Sequence, residues 1–152
     1  MDKKFISNHI THYGYMDSPL GLLMLAGCEQ GLRLINFPKG SQARQPLPHW
    51  TSEQNMFTQA REQLRAYFDG NLQIFSVPLL LEGTPFQKTV WQALQNVPYG
   101  QLASYGDIAK AIGKSGAARA VGGANNANPI PIIVPCHRII GADKSLTGFG
   151  GG

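Results

Sequence analysis

With 152 residues and ordinary apolar content, the chain has the size of one compact unit or of two small subdomains that share a core. No apolar run reaches the length of a membrane span, no signal peptide is evident, and two cysteines are too few for a disulfide framework. The net charge of +4 comes entirely from residues 84–152, which carry six Lys/Arg against two Asp/Glu. This asymmetry indicates either a polyanion partner, most simply DNA, or a basic surface kept for solubility.

The cysteines and histidines also predict the setting of the protein. No Cys/His spacing resembles a zinc site, so we expect neither a metal nor a cofactor. We expect a reducing, intracellular environment, the cytoplasm, in which Cys136 stays a free thiol. The residues interpreted as structural or exposed are Cys28, His9, His12 and His49.

Residues 1–82 are predicted to form an N-terminal α/β structural domain with a small antiparallel sheet. The apolar pattern predicts strands over residues 9–16 and 21–27, joined by a turn at 17–19, and a third strand over 32–37. A loop rich in Pro, Gly, Gln and Ser follows over residues 38–48.

One helix is predicted in this first half. Thr51 or Ser52 can cap it, and it runs to about Phe68, before the turn at residues 69–71. Its buried face is predicted to consist of Phe57, Ala60, Leu64 and Phe68. Residues 73–81 have strand-like apolar content but include a proline, which favours an edge strand or an extended connector.

Residues 84–152 are predicted to form a mostly helical C-terminal domain. Thr84 caps its first helix, with Pro85 in the first helical position, and residues 98–100 stop it. The buried face of that helix is predicted to consist of Phe86, Val90, Trp91, Leu94 and Val97. A second helix from about Ser104 to Ile112, a tight turn at 113–116 and a third helix over 117–125 complete a helix-turn-helix, winged-helix-like layout.

The third helix carries almost no large polar side chains, and Arg119 is its only charged residue. Helix-turn-helix proteins usually read the major groove with large polar side chains, whereas small residues suit the narrow, shallow minor groove and little sequence preference. Arg119 could then insert into the base stack. Small residues also serve tight packing inside a protein, and the sequence leaves both interpretations open.

Residues 135–138, Pro-Cys-His-Arg, are the strongest candidate for chemistry. They follow the turn-rich loop 126–131 and the apolar run 130–134, and we expect an extended segment there. Thiols react as thiolates, which a neighbouring imidazole and basic residues favour. A buried structural cysteine is the alternative, although His137 and Arg138 are polar groups that a purely structural strand would have to satisfy.

These residues are similar to those of a known family, the O6-alkylguanine-DNA alkyltransferases. The resemblance covers nearly all of residues 84–152 in the expected order, and is loose in the first half, through Ser-Pro-Leu-Gly at residues 18–21. The matching elements are residues 84–87 (Thr-Pro-Phe-Gln), 98–105 (Pro-Tyr-Gly through Ser-Tyr), 118–124 (Ala-Arg-Ala-Val-Gly-Gly-Ala), 128–129 (Asn-Pro) and 133–138 (Ile-Val-Pro-Cys-His-Arg).

The resemblance implies DNA repair by stoichiometric, irreversible transfer of an alkyl group from guanine O6, and also from thymine O4, to Cys136. His137 would act as a base through a bound water, and Asn128 would organise the loop near the thiol. Tyr105 would press on the flanking phosphate and hydrogen-bond the flipped base, while Arg119 would fill the gap in the duplex. We expect a monomer that binds double-stranded DNA through the minor groove.

The resemblance also implies the surroundings of the site. The further residues expected to contact DNA are Ser104, Ala118, Ala120, Gly122, Gly123 and Asn125. The residues expected to line the substrate pocket are Tyr105, Val134, Pro135, Ile139, Phe149 and Gly150. The backbone of Cys136 and Ile139 and the amide of Gly150 would bind the guanine edge. Gly150 replaces a serine that is frequent in the family, which predicts a pocket open to larger alkyl groups.

The end of the sequence carries two further expectations. The three glycines at residues 150–152 indicate a chain that is cut short, because nothing there can cap or pack. No glutamate follows Glu82, so we expect the family's histidine-orienting glutamate to lie beyond Gly152.

Three other functions compete. A non-enzymatic binder of damaged DNA would lack the acceptor, so Cys136 argues against it. A cysteine hydrolase would need direct contact between Cys136 and His137, which is awkward for adjacent residues of an extended segment. A helix-turn-helix transcription factor would bind specific sequences as a dimer, and the third helix lacks the side chains for that role.

Overall fold

The computed structural model describes residues 9–37 and 45–140. The chain divides between Glu82 and Gly83 into two compact units, one with a small sheet and a helix and one mostly helical. The predicted α+β class is confirmed. Over the described residues, no helix is long and apolar enough to cross a membrane, and no three His, Cys, Asp or Glu side chains are grouped as metal ligands.

The first unit is built on a four-stranded sheet. From one edge to the other, its strands are β3 (Gly31–Asn36), β2 (Gly21–Cys28), β1 (His12–Ser18) and β4 (Thr51–Ser52). Strands β1 (His12–Ser18), β2 (Gly21–Cys28) and β3 (Gly31–Asn36) form an antiparallel meander, as predicted. The last six residues of β2 are all buried, because this strand lies between two neighbours. The unit's core therefore centres on β2.

The helix of this unit, α1 (Thr58–Phe68), begins later than predicted. The predicted cap at Thr51 or Ser52 is wrong, because these residues form the short strand β4 (Thr51–Ser52), parallel to β1. Phe57, the residue before α1, has a φ of 62° and makes no side-chain cap hydrogen bond. Ala60 and Leu64 are buried as expected, whereas Phe57 and Phe68 are only half-buried, and the helix ends at Phe68 with Asp69 as its C-cap.

Residues 73–81 form an extended connector rather than a strand. A bridge between Leu79 and Leu32 and a hydrogen bond from the Leu80 amide to the Leu32 carbonyl attach this segment to β3. The sheet therefore has an irregular neighbour along its β3 edge.

The second unit begins with α2 (Pro85–Leu94). The Thr84 hydroxyl accepts a hydrogen bond from the Gln87 amide at 3.1 Å, and the Gln87 side chain accepts one from the Thr84 amide at 3.0 Å. This reciprocal cap and the proline at the first position confirm the predicted start. The buried residues of this helix and its end are Val90, Trp91, Leu94 and Val97, while Phe86 is half-buried.

Helices α3 (Tyr105–Ala111) and α4 (Ala118–Asn126) follow as a helix-turn-helix pair, as predicted. The Trp91 indole donates a hydrogen bond to the Ala124 carbonyl at 2.9 Å and so ties α2 to α4. Two short parallel strands, β5 (Ala103–Ser104) and β6 (Ile139–Ile140), join the start of α3 to the chain that follows residues 136–138.

Candidate active site

Cys136 lies in a 3₁₀ turn, Cys136–Arg138, rather than in an extended segment. The Cys136 amide donates to the Val134 carbonyl at 2.8 Å, and the Arg138 amide donates to the Pro135 carbonyl at 3.0 Å. Proline favours such a turn because its φ is already helical and it lacks an amide proton to satisfy. The prediction of an extended segment is therefore wrong, and the argument against a hydrolase that rested on it no longer holds.

Asn128 holds the loop that precedes this turn. Its side-chain amide donates a hydrogen bond to the Val134 carbonyl at 2.8 Å, and its side-chain oxygen accepts one from the Ile130 amide at 3.0 Å. One asparagine thus links both ends of residues 130–134, and it also acts to lower the pKa of the Cys136 thiol.

The loop held by Asn128 is buried and strained. Ile130 and Val134 are fully buried, as are their neighbours Pro131 and Pro135. Ile132, only 4% exposed, has a φ of 75°, in the left-handed region that a β-branched residue rarely adopts and that costs roughly 1–3 kcal/mol. Burial of its side chain offsets that strain. No pattern in the sequence indicated this feature.

The thiol and the imidazole are both uncharged in the free protein. Burial raises the pKa of Cys136 above its ordinary value, and hydrogen bonds from Asn128 and from the amides of Cys136 and His137 offset only part of this rise. Burial and then the charge of Arg138 lower the pKa of His137 to about 4. The expectation that the neighbouring imidazole and basic residues favour the thiolate is therefore wrong for this state.

Arg138 is a structural tie beside the candidate nucleophile. It is buried, donates a hydrogen bond from Nη1 to the Val97 carbonyl at 2.8 Å, and lies 5.7 Å from the centre of the Tyr99 ring. These contacts attach the Cys136 turn to the segment after α2. The guanidinium of Arg138, for which the sequence analysis required a partner, therefore contacts a backbone carbonyl and the face of an aromatic ring.

Tyr105 and Ser104 stand at the start of α3, where β5 pairs with β6. The Ser104 hydroxyl accepts a hydrogen bond from the Asp107 amide at 3.0 Å, so its structural role is to cap α3. A Cβ added at Gly122 would lie 3.3 Å from Cε2 of Tyr105. The absence of a side chain at Gly122 therefore lets the tyrosine ring lie against α4.

Helix α4 presents a stripe of small residues around one arginine. Its exposed positions are Arg119, Ala120, Gly123 and Asn126, and Ala118 and Gly122 are half-buried beside them. Asn125, in contrast, is only 1% exposed, and both polar atoms of its side chain lack a hydrogen-bond partner. It lies four residues after buried Val121, on the inner face, so the prediction that Asn125 contacts DNA is wrong. Asn126 occupies the exposed position instead.

Of the predicted pocket residues, Val134 and Pro135 are buried and directly precede the Cys136 turn. Ile139 begins β6, directly after that turn. Phe149 and Gly150 lie outside the described residues, as does the whole segment 141–152. Among the described residues, the Asn128 loop therefore leads directly into the turn that carries Cys136 and His137.

Comparison with known families accounts for both units. The 6-O-methylguanine DNA methyltransferase ribonuclease-like domain matches residues 11–81, and the DNA binding domain of the same name matches residues 85–152. The chain is also 51% identical over 141 residues to a methylated-DNA–protein-cysteine methyltransferase of Methanosarcina acetivorans, covering 93% of this chain and 90% of that protein. The chain belongs to the 6-O-methylguanine DNA methyltransferase family.

Other members of this methyltransferase family agree in sequence and fold. A Mycobacterium tuberculosis methylated-DNA–protein-cysteine methyltransferase is 54% identical over 144 residues, covering 94% of this chain and 86% of that protein. A crystal structure of M. tuberculosis OGT in complex with DNA matches with a TM-score of 0.86 and 52% identity, over 93% of this chain and 86% of that one. The resemblance inferred from the motifs is confirmed.

Proposed function

We propose that this methyltransferase repairs DNA by moving an alkyl group from guanine O6 directly and irreversibly to the sulfur of Cys136. The observation that carries the proposal is the position of Cys136 in a turn whose preceding loop is held by Asn128, inside the region that matches the family's DNA binding domain. The Asn128 side chain and the amides of Cys136 and His137 each act to lower the pKa of the thiol, against the effect of burial. Donors aimed at a sulfur stabilise a thiolate, which is the nucleophile that alkyl transfer needs.

The transfer is an in-line displacement at carbon. The Cys136 thiolate attacks the alkyl carbon, the carbon–O6 bond breaks, and its electron pair stays with guanine. The leaving oxygen needs a hydrogen-bond donor or a proton, and Tyr105, at the start of α3, is our candidate for that group. The thioether product has no route back to a thiol, so each protein molecule reacts once. Thymine O4 offers the same leaving oxygen and is the second substrate that we propose.

His137 is proposed as the base that takes the thiol proton through a bound water. Its imidazole is neutral at physiological pH, because its pKa lies at about 4, and so it can accept a proton. With the thiol pKa raised, however, this transfer is uphill in the free protein. Only a small fraction of the free protein therefore carries the thiolate, and that fraction reacts when an alkylated base enters the site.

We propose that DNA binds through the exposed stripe of α4. Its small residues allow the helix backbone to approach a narrow, shallow surface, which suits minor-groove binding with little sequence preference. The target atom lies inside the duplex, so the nucleotide must be rotated out, at a cost of roughly a few kcal/mol. Arg119 would fill the gap and Tyr105 would press on the flanking phosphate. No second subunit is needed for this geometry, so we propose a monomer.

The remaining assignments follow from the same proposal. Residues 84–152 carry DNA binding and the acceptor, and residues 1–82 form a structural domain. Val134, Pro135 and Ile139 belong to the wall of the alkyl pocket, with Phe149 and Gly150 proposed as its continuation. Both cysteines are free thiols, which supports a reducing, intracellular setting.

Intact-protein mass after mixing with a duplex that contains one O6-methylguanine tests this function. The expected result is a gain of one methyl group per protein molecule and no further gain with excess DNA. Cys136→Ser should show no gain, and Cys28→Ser, its matched control, should show the full gain. DNA binding without any gain in the wild-type protein would overturn alkyl transfer and identify a non-enzymatic binder of damaged DNA.

A further inference from the structure

The segment 97–104 holds the Cys136 turn and the strand that follows it. At the start of the segment, the Val97 carbonyl accepts a hydrogen bond from Nη1 of Arg138, the last residue of the turn, at 2.8 Å. The last two residues of the segment form β5, which pairs in parallel with β6, directly after the turn. One continuous stretch of chain therefore supports the turn that carries the proposed nucleophile.

A tight turn within this segment presents the Tyr99 ring to Arg138. Gly100 has a φ of 81°, in the left-handed region that glycine adopts without steric cost, and the Gln101 amide donates to the Pro98 carbonyl at 3.1 Å. This is the pattern of a type II turn, whose third position favours glycine. Tyr99 occupies the second position, and the centre of its ring lies 5.7 Å from the guanidinium carbon of Arg138.

These contacts restrict the position of a buried charge. Arg138 is only 9% exposed, whereas Tyr99 is 44% exposed. A buried cation is costly unless it has partners, and here the Val97 carbonyl and the Tyr99 ring both attract the guanidinium. Because Arg138 belongs to the same three-residue turn as Cys136, contacts that fix its side chain also restrain the backbone of the nucleophile.

The same segment leads into the second reacting group of the proposed mechanism. Tyr105, the first residue of α3, directly follows β5. The pairing of β5 with β6 therefore places the chain that precedes Tyr105 beside the chain that follows the Cys136 turn. An in-line displacement needs the sulfur, the alkyl carbon and the leaving oxygen in one geometry, and a small misplacement of the reacting groups lowers the rate strongly.

We propose that Tyr99 and Arg138 are positioning residues for alkyl transfer, and that the contact between them fixes the Cys136 turn relative to Tyr105. This inference rests on the proposed function, because it takes Cys136 as the acceptor and Tyr105 as the group that assists the leaving oxygen. In this role both residues act through the backbone that they hold. Loss of their contact therefore slows the transfer while both reacting groups remain in the protein.

Benzyl transfer from free O6-benzylguanine to the full chain, followed by intact-protein mass, tests the inference without DNA. Tyr99→Leu should slow the transfer about three- to thirtyfold, which is the range of a cation–π contact expressed as a rate. Tyr99→Phe keeps the ring and should retain most of the rate. Leu102→Ala, a change at a 63% exposed position of the same segment, is the matched control and should leave the rate unchanged. An unchanged rate with Tyr99→Leu would overturn the inference.

Iodoacetamide distinguishes positioning from a general loosening of the site. It alkylates the same Cys136 sulfur, but iodide leaves without a proton, so alignment with Tyr105 is not required. Tyr99→Leu should therefore slow benzyl transfer while the iodoacetamide rate at Cys136, located by peptide mass mapping, stays unchanged. A loosened site would instead expose the buried thiol and raise its iodoacetamide rate, and that result would contradict the positioning role.

A double-mutant cycle tests whether the two side chains act together. Arg138→Gln should slow benzyl transfer at least as much as Tyr99→Leu, because it also removes the charge that the Val97 carbonyl binds. Arg138→Lys keeps the charge and should recover part of the rate. In the double variant the loss should be smaller than the product of the two single losses, since both changes break one contact. Single losses that multiply would contradict a shared role.

Two further outcomes are decisive. If Arg138→Gln fails to fold, the cycle is completed with Arg138→Lys, and Tyr99→Leu at its exposed position still gives a result. No benzyl transfer in the wild-type protein would overturn the proposed function together with this inference. Equal transfer in the wild-type protein and in Tyr99→Leu would overturn the positioning role alone.

Discussion

Cys28 and Cys136 are both buried, yet their surroundings act on the sulfur in opposite directions. At Cys28, the guanidinium of Arg33 and two amides outweigh the effect of burial and lower the pKa of the thiol. At Cys136, burial outweighs the hydrogen bonds from Asn128 and two amides, and the pKa is raised. Two things make the difference: Cys136 lies deeper in the protein, so burial raises its pKa more, and a permanently charged arginine contacts only the Cys28 sulfur.

Sequence neighbours are a poor guide to this contrast. Cys136 precedes a histidine and an arginine, but the imidazole is neutral and the arginine is occupied by a carbonyl and an aromatic ring. Cys28 has no basic residue within four positions, and Arg33 reaches it because the β2–β3 hairpin folds back.

The largest effect is expected from Asn128→Ala. This change removes both loop contacts and the effect of Asn128 in lowering the pKa of the Cys136 thiol, and hydrogen bonds to charged groups are worth about 1.5–3 kcal/mol. We expect alkyl transfer from free O6-benzylguanine to slow by about 30- to 100-fold. Rapid-quench rates measure this. An unchanged rate of disulfide exchange at Cys28 is the control, and an unchanged alkyl-transfer rate would contradict the role of Asn128.

The neutral imidazole predicts a loss of stability in acid. Since the pKa of His137 is about 4 in the folded protein and near 6.5 when unfolded, only the unfolded chain takes up this proton between those values. Folding stability is therefore complete above pH 6.5 and decreases as the pH falls towards 4. At pH 4.5 the loss should be about 2 kcal/mol, allowing for partial exposure. Urea unfolding at pH 7 and 4.5 should show a smaller decrease for His137→Gln, whereas parallel losses would contradict this explanation.

Arg119→Ala should separate duplex repair from the chemistry at sulfur. Arg119 is exposed on α4 and has no place in the contacts around Cys136, so reaction with free O6-benzylguanine should be unchanged. Repair of a methylated duplex should slow by about tenfold or more, because nothing fills the gap left by the flipped nucleotide. Arg119→Lys serves as the charge-conserving control. Equal losses on both substrates would contradict the intercalation role.

The smallest effect is expected from Gly123→Ala, which should stabilise the free protein but weaken its binding to duplex DNA. No atom lies within 4 Å of the added Cβ, so the free protein should gain about 0.5–1 kcal/mol from the better helix former. Duplex binding should weaken, because the methyl group separates α4 from the groove. Gly116→Ala is the matched control, since its added Cβ also meets nothing within 4 Å and the residue lies outside α4. Unchanged affinity for the duplex with Gly123→Ala would argue against this face as the DNA contact.

Local signals in the sequence were sufficient for much of the fold. The Thr84 cap with Pro85 and the turn before α4 were predicted because each depends on residues close in sequence. The start of α1 was not, because Thr51 and Ser52 are held by β1, about forty residues away, and a long-range pairing overrides a local cap.

The sequence identified the residues of the candidate site but not their protonation states. The motif contains Asn128, Cys136 and His137, and Asn128 holds the loop that leads to Cys136. Their protonation depends on burial, which no residue pattern expresses. The 3₁₀ turn, the left-handed Ile132 and the inward Asn125 likewise result from packing around residues 125–138. The sequence led us to interpret Cys28 as structural or exposed, and its contact with Arg33 was missed because that contact depends on how the β2–β3 hairpin folds.

The central claim is that DNA delivers its alkyl group to Cys136, whose thiol pKa is raised, rather than to Cys28, whose thiol pKa is lowered. The most direct test is peptide mass mapping after reaction of the full chain with a duplex that contains one O6-methylguanine. We expect one methyl group on Cys136 and none on Cys28. A methyl group on Cys28, or its distribution between both cysteines, would contradict it.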